Sequence, residues 1–390
     1  MQLVAYGAQD IYLTGNPQIT FWKVVYRRCT NFAIESVEQT FMGNAAAGSR
    51  ATATISRNGD LVSNCVLEIV ANQVDTDGSY TDAGMHALVE SVEVEIGGQK
   101  IDKHYSAWLQ IWNELSNPHF GPQTDDSAPA ISGYGKAIGA LLDFDGDETH
   151  YVPLVFWFNR NPGLALPLIA LQYHEVKFNF QFAAASEIAT DNTKAPAIKS
   201  IKMFVDYIYL DTEERRRFAQ QSHEYLIDQV QYTGAVSRTA GTGGMQSLRL
   251  DFNHPCKELV WVERQTTRNT TKGFPTDFAG IGGTNGSTAL LQLNGHDRFA
   301  KRPMNYFTRV QPLQHHTNVP YGDRIGVYSF GLRPEDHQPS GTCNFSRIDN
   351  ATLQLSLAHA NGAANEFQVY ATNYNVLRIM SGMGGLAYSN

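Results

Sequence analysis

Apolar and polar positions alternate with a period of two through much of this chain. In "SVEVEIGG" (91–98) Val92, Val94 and Ile96 fall on one side and Ser91, Glu93 and Glu95 on the other. "EVKFNFQF" (175–182) aligns Val176, Phe178, Phe180 and Phe182, and "TLQLSLA" (352–358) aligns Leu353, Leu355 and Leu357. Side chains two apart share a face of a strand, so each segment reads as a strand with one buried and one more polar face, as in antiparallel sheets. Clusters of Gly, Asn, Asp and Pro punctuate them, as in "RNGD" (57–60), "RNPG" (160–163) and "RPEDHQPSG" (333–341). Many short strands separated by turn chemistry predict an all-β sandwich or barrel. Two continuous apolar runs, "VPLVFWF" (152–158) and "LALPLIAL" (164–171), read as buried strands, and neither reaches the ~18 residues of a transmembrane helix.

The pattern also recurs at about half the chain length. The strand ending at Gly97-Gly98 leads into "QKIDKHYSAWLQIWNEL", an aromatic stretch that reads as helical. "ALLQLNGHDRFAKRPMNYFTRVQPL" (289–313) offers the same strand, glycine turn and aromatic continuation, at an offset of 197 when Gly98 is set against Gly295. Each half later has an Arg/Asn/Pro turn followed by an alternating strand. This favours two similar β-domains over one large one. The densest charge run, "DTEERRRFAQQSHEYL" (211–226), suits the connector between them. The expected division is an arm at 1–28, a first domain at 29–212, a connector at 213–224 and a second domain at 225–390.

Composition narrows the function. Only 17% of the 390 residues are charged against 42% hydrophobic, which suggests that much surface is covered by something else. A net charge of −8 argues against sequence-independent nucleic-acid binding, and Arg215, Arg216 and Arg217 read as a rim cluster. Cys29, Cys65, Cys256 and Cys343 have no C-x-x-C spacing, so buried free thiols are expected, with no metal and no cofactor. "GNAAAGSR" (43–50) has phosphate-loop glycines but lacks the lysine, and reads as a strand–strand loop. "GMGGLA" (382–387) has no helix after it to meet a pyrophosphate. "DFDGDE" (143–148) fails the calcium-loop pattern at Glu148 and Leu154 and reads as a solvated acidic loop. His315 and His316 are adjacent, lack joint ligand spacing, and read as ordinary loop or surface histidines. No catalytic constellation emerges, and no enzyme is expected.

Two regions remain as candidate sites. Sequons occur at Asn269, Asn285, Asn344 and Asn350. Asn269 and Asn285 lie in a long Gly/Thr/Asn loop at 265–290 that is expected to be exposed, whereas Asn344 and Asn350 adjoin a strand expected to be packed. The opening stretch "GAQDIYLTGNPQITFWKVVYRR" (7–28) lacks the plan of a secretory signal and is too aromatic for a disordered tail. Asn16-Pro17 suits a helix start, yet Ile19, Thr20, Val24 and Val25 favour a strand.

"AYGAQDIYLTGNPQITFWKVVYRRCTNFAIE" (5–35), "SRNGDL" (56–61), "VDYIYLDTEERRRFAQ" (205–220), "LRPEDHQPSGTCNFSRIDNATL" (332–353) and "VYATNYNVLRIMSGMGGLAYSN" (369–390) resemble, in order, the major capsid proteins of large icosahedral double-stranded DNA viruses. The algal-virus branch is nearest and the iridoviruses are more distant. Trp22 and Cys29 depart from the pattern, and the loops at 74–86, 121–148, 234–246 and 265–290 do not share it. The resemblance implies a double jelly roll, two eight-stranded antiparallel sandwiches per chain. It further implies a homotrimeric, pseudo-hexagonal capsomer of the virion capsid, made in the host cytoplasm. Implied partners are other copies, neighbouring capsomers, minor capsid proteins and the internal membrane, with covalent glycans on outer loops and no nucleic acid. Ile19, Phe21, Trp22, Lys23, Tyr26, Arg27 and Arg28 become candidate anchors of the arm, either to a partner or beneath the first barrel. A lectin-like carbohydrate-binding sandwich is the alternative, since jelly rolls serve both purposes. A cupin-type enzyme lacks the clustered His and Glu ligands.

Overall fold

The computed structural model describes residues 8–9, 19–20, 23–24, 30–72, 84–117, 147–188, 195–238, 244–265, 278, 281, 286–358 and 365–388. Among these residues every strand pairing is antiparallel. A short pair, β1 (Ile19–Thr20) and β2 (Lys23–Val24), precedes the main body.

The first half stacks two five-stranded sheets. Sheet A runs β3 (Phe32–Gln39), β12 (Ala197–Leu210), β6 (Leu61–Asn72) and β10 (Leu166–Pro167), with β9 (Asp147–Pro153) also on β6. Sheet B runs β4 (Phe41–Met42), β5 (Arg50–Thr54), β11 (Val176–Phe182), β7 (Val89–Ile96) and β8 (Gln99–Tyr105). Taking β3, β5, β6, β7, β8, β9, β11 and β12 in chain order, the first, eighth, third and sixth strands share one sheet. The second, seventh, fourth and fifth share the other, which is jelly-roll connectivity.

The second half repeats it. Sheet C holds β13 (His223–Arg238), β22 (Asn365–Met380), β15 (Pro255–Gln265) and β19 (Ile325–Ser329), with β20 (Cys343–Asn344) on β15 and β23 (Met383–Leu386) on β22. Sheet D holds β14 (Gly244–Arg249), β21 (Ala351–Leu357), β16 (Thr288–Leu293) and β17 (His296–Asp297), with β18 (Arg302–Pro303) on β16. The fold is a double jelly roll.

The alternating segments bury the faces expected of them. Val92, Val94, Ile96, Phe178, Phe180 and Phe182 are core residues of the first sandwich, and Leu353, Leu355 and Leu357 of the second. Both repeat hairpins turn through paired positive φ angles, at Gly97 (58°) with Gly98 (84°) and at Asn294 (51°) with Gly295 (76°). That geometry matches the twist of a tight hairpin and favours Gly and Asn.

Several local expectations change. "QKIDKHY" is strand β8, and the helix begins only afterwards, as α2 (Ser106–Ser116); α1 (Gly84–Leu88) precedes β7. The runs at 152–158 and 164–171 are buried but mostly not strands. β9 stops at Pro153, and α3 (Trp157–Arg160) follows with Asn159 closing its first turn onto the Phe156 N–H. Pro162–Leu164 is a 3-10 turn initiated by the Asn161 side chain. Prolines at 153, 162 and 167 deny the chain the consecutive N–H donors a long strand needs.

The charge run forms α4 (Thr212–Gln220), capped by Asp211. Arg215 pairs with buried Asp60 at 2.9 Å, and Phe218 packs against Leu61 and Ile208. Arg216 and Arg217 are exposed. "GNAAAGSR" is indeed a strand–strand loop, between β4 and β5.

Candidate functional site

The two sandwiches are joined by a buried junction, and its chemistry can be built from α2 outward. Leu109 on one side of α2 enters the first core. Trp108, Ile111 and Leu115 on the other side pack on the outer face of sheet C, against Val260, Val262, Ile325, Val327 and Tyr370. Trp108 and Tyr370 place their ring centroids 5.6 Å apart. Ile227, Leu377 and Ile379, from the ends of β13 and β22, reach back into the first core.

Charge is buried along this seam. Asp228 of β13 receives Arg160 of α3 at 3.1 Å and Lys257 of β15 at 3.3 Å. Lys257 Nζ also donates to the Asp336 carbonyl at 2.9 Å and lies over the Tyr374 ring. Arg160 stacks over Trp112 of α2, 4.5 Å from the ring centroid. Burial pushes the Lys257 ammonium below its usual range, with Asp228 opposing.

The neighbouring Glu258 faces His316 Nε2 at 2.9 Å, and His316 Nδ1 meets Glu335 at 2.9 Å. Burial alone would depress the imidazole, but the two carboxylates outweigh it and raise His316 to about 9. Burial likewise acts to raise Glu258; the imidazolium and Lys257 overcome it and hold the carboxyl below its usual range. His316, expected to be an ordinary loop or surface histidine, lies in the loop that follows residue 315 but is not at the surface. Its side chain is fully enclosed, held by the loop that carries Glu335 and Asp336. His315 is partly exposed and meets the Leu332 carbonyl at 3.0 Å.

The candidate sites of the sequence fare differently. Ile19 and Lys23 belong to the β1–β2 pair, which agrees with the strand preference of their neighbours. Phe21, Trp22, Tyr26, Arg27 and Arg28 lie outside the described residues, as do Asn16, Pro17, Asn269 and Asn285. The 265–290 loop is not exposed throughout. Phe278 packs at the junction and Ile281 enters the second core, tying its backbone N–H to the Asp323 carbonyl. Asn344 and Asn350 are exposed rather than shielded by the adjoining strand. Asn344 caps a 3-10 turn, Phe345–Arg347, which lifts the segment off the sheet before β21 begins.

Sequence reasoning missed Arg160, Asp228, Lys257, Glu258 and Glu335. Four of them sit beside turn or strand-end polar residues and look solvated along the chain. Among the described residues no group of three or more His, Cys, Asp and Glu could hold a metal, and no helix is long and apolar enough to cross a membrane.

This geometry connects two barrels, and comparison with known proteins gives it a context. Two family models match in tandem: "Major capsid protein N-terminus" over residues 20–211 and "Large eukaryotic DNA virus major capsid protein" over 214–385. The chain belongs to this major capsid protein family. It is 50% identical to the major capsid protein of Pyramimonas orientalis virus, covering 100% of this chain and 99% of that one. Against the major capsid protein of Paramecium bursaria Chlorella virus 1 the identity is 44%, with the same coverage. A quasi-atomic model of the PBCV-1 virus capsid aligns with a TM-score of 0.80 and 39% identity, covering 95% of this chain and 100% of that chain. The capsid protein is thus a structural virion component and not an enzyme, and the lectin alternative finds no support. Of the buried charges described, the Arg160–Asp228 pair joins one half to the other, whereas Lys257, Glu258, His316 and Glu335 pair within the second half.

Proposed function

We propose that the chain forms a homotrimeric, pseudo-hexagonal capsomer. The observation that carries this reading is the repetition of one jelly-roll strand order in two barrels fixed side by side by a buried seam. Three such chains around a threefold axis present six similar barrels, a block that tiles a shell through closed symmetry. The family membership supports shell assembly; the trimeric state is tested by light scattering of the purified chain, with three chain masses expected. A folded monomer at micromolar concentration would overturn it.

The units of such a capsomer are the barrels at 29–212 and 225–390, the connector at 213–224 and the arm at 1–28. The arm, with Ile19, Phe21, Trp22, Lys23, Tyr26, Arg27 and Arg28, anchors the capsomer base to a minor capsid protein or to an internal membrane. Its aromatic and basic composition supports this, since apolar rings and cations together suit a partner with an acidic, partly apolar surface. Assembly takes place in the host cytoplasm. Glycans attach through the 265–290 loop at Asn269 and Asn285.

A further inference from the structure

The helix that seals the junction has a counterpart in the second half from which one large apolar side chain, Leu313, stands exposed. Residues 304–315 are helical, with a π-helical turn at Tyr306–Val310 leading into α5 (Gln311–His315). Setting Ser106 against Met304 gives an offset of 198, one more than at the hairpin turn because the intervening segment is one residue longer. The inward positions then agree. Leu109 and Phe307 each enter their own barrel's core, Gln110 and Thr308 are both buried, and so are Asn113 and Gln311.

The outward positions differ in what covers them. In α2, Trp108, Ile111 and Leu115 are sealed by sheet C of the same chain. Their counterparts are Tyr306, which packs against the second core, Arg309, which pairs with Asp323, and Leu313, which is 71% exposed. Leu332, whose carbonyl meets His315, is 72% exposed. A large aliphatic side chain as open as Leu313 on an otherwise packed helix marks a contact point.

On the outer face of sheet A, α4 covers Leu61 and Ile208, and the β3 edge beside them is open. Sheets A and C have the same order, β3-β12-β6 against β13-β22-β15. The outer face of sheet C, which α2 covers, carries Val230 and Tyr232 on β13. At the same offset of 198 these correspond to Phe32 and Ile34 on β3. Phe32 is 56% and Ile34 59% exposed, and Tyr151 on β9 is 41% exposed. Charge favours bringing the two faces together: residues 1–210 hold 23 of the 38 acidic and only 13 of the 30 basic side chains. First-half to first-half contacts are repelled, and first-half to second-half contacts are not.

We propose that the helix at 304–315 of one copy docks, through Leu313, on the open β3 edge of the outer face of sheet A of a second copy, at Phe32 and Ile34. The contact reproduces between chains what α2 makes within one. It is heterologous, so a rotation that places it at every junction closes a ring. This inference rests on the capsomer reading and specifies its interface.

The test uses the full chain with photoreactive p-benzoylphenylalanine in place of Leu313, irradiated and resolved on denaturing gels, with cross-linked peptides mapped by mass spectrometry. Species of two and three chains joined to peptides from 30–39 or 200–210 are expected. A trimer that cross-links elsewhere, or not at all, overturns the docking and leaves the capsomer reading standing. A monomeric unsubstituted chain overturns the capsomer reading and the docking with it. As a second measurement, Leu313→Glu and Ile34→Glu each should shift the light-scattering mass from three chains to one with an unchanged circular dichroism spectrum. Persistence of the trimer in both variants would also refute the docking.

Discussion

His316 carries more of the electrostatic design than its place in a polar loop suggests. Held between Glu258 and Glu335, it stays protonated to about pH 9, against an unfolded value near 6.5. A group whose folded pKa is raised stabilises fully below the unfolded pKa and loses that contribution as pH climbs through the folded one. A shift of this size corresponds to about 3 kcal/mol. Glu258 behaves oppositely: its contribution is present above the usual carboxylate range and fades as pH falls below it. Thermal melting should therefore weaken from pH 6.5 to 9 and again in acid. His316→Gln should abolish most of the alkaline slope while lowering the melting temperature throughout, because Glu258 is left buried without its cation. An alkaline slope unchanged in that variant would mean that another group supplies it. Asn344 and Asn350 make a second residue-scale test. Although they are exposed, the glycopeptides of virion-derived protein are expected to come from Asn269 or Asn285, with sugars confined to Asn344 or Asn350 counting against that assignment.

Among the elements, α2 and β19 are both closely packed. Trp108 is buried on the side of α2 that faces sheet C, so Trp108→Ala should cost about 3–5 kcal/mol and open the junction to limited proteolysis. A variant as resistant as the parent would show the barrels to be held mainly by the Asp228 charge cluster. At Gly326 in β19, an added Cβ would lie 2.3 Å from the Trp261 indole. Gly326→Ala should destabilise by roughly 1–3 kcal/mol through overpacking, read by chemical denaturation. The alternating strands at this scale were legible in sequence because burial of one face of a sheet writes itself into every second residue. The continuous apolar run at 152–158 was not, since periodicity cannot separate a buried strand from a buried helical turn. Asn159, which closes α3 onto Phe156, decides it through a local hydrogen bond.

At the scale of the whole molecule, the capsid protein is two copies of one architecture joined asymmetrically. Cys65 and Cys256 are buried and Cys343 half-buried, with Cys256 opposite Cys343 in register between β15 and β20. Reductant and chelator are expected to leave the melting temperature unchanged, and a fall of many degrees with reductant would reveal a bond across that pair. The sequence by itself determined the all-β class, the two-fold repetition and the hairpin turns, all of them local or periodic consequences of burial and backbone freedom. It also carried the capsid resemblance from end to end. Only the tertiary structure decided which charges are buried. Arg160, Asp228, Lys257, Glu258, His316 and Glu335 are scattered over 176 positions of chain and meet because strands and loops distant in sequence converge on one seam. No window of sequence contains that seam, because burial of a charge depends on the partners that compensate it, and the fold alone brings those partners within reach.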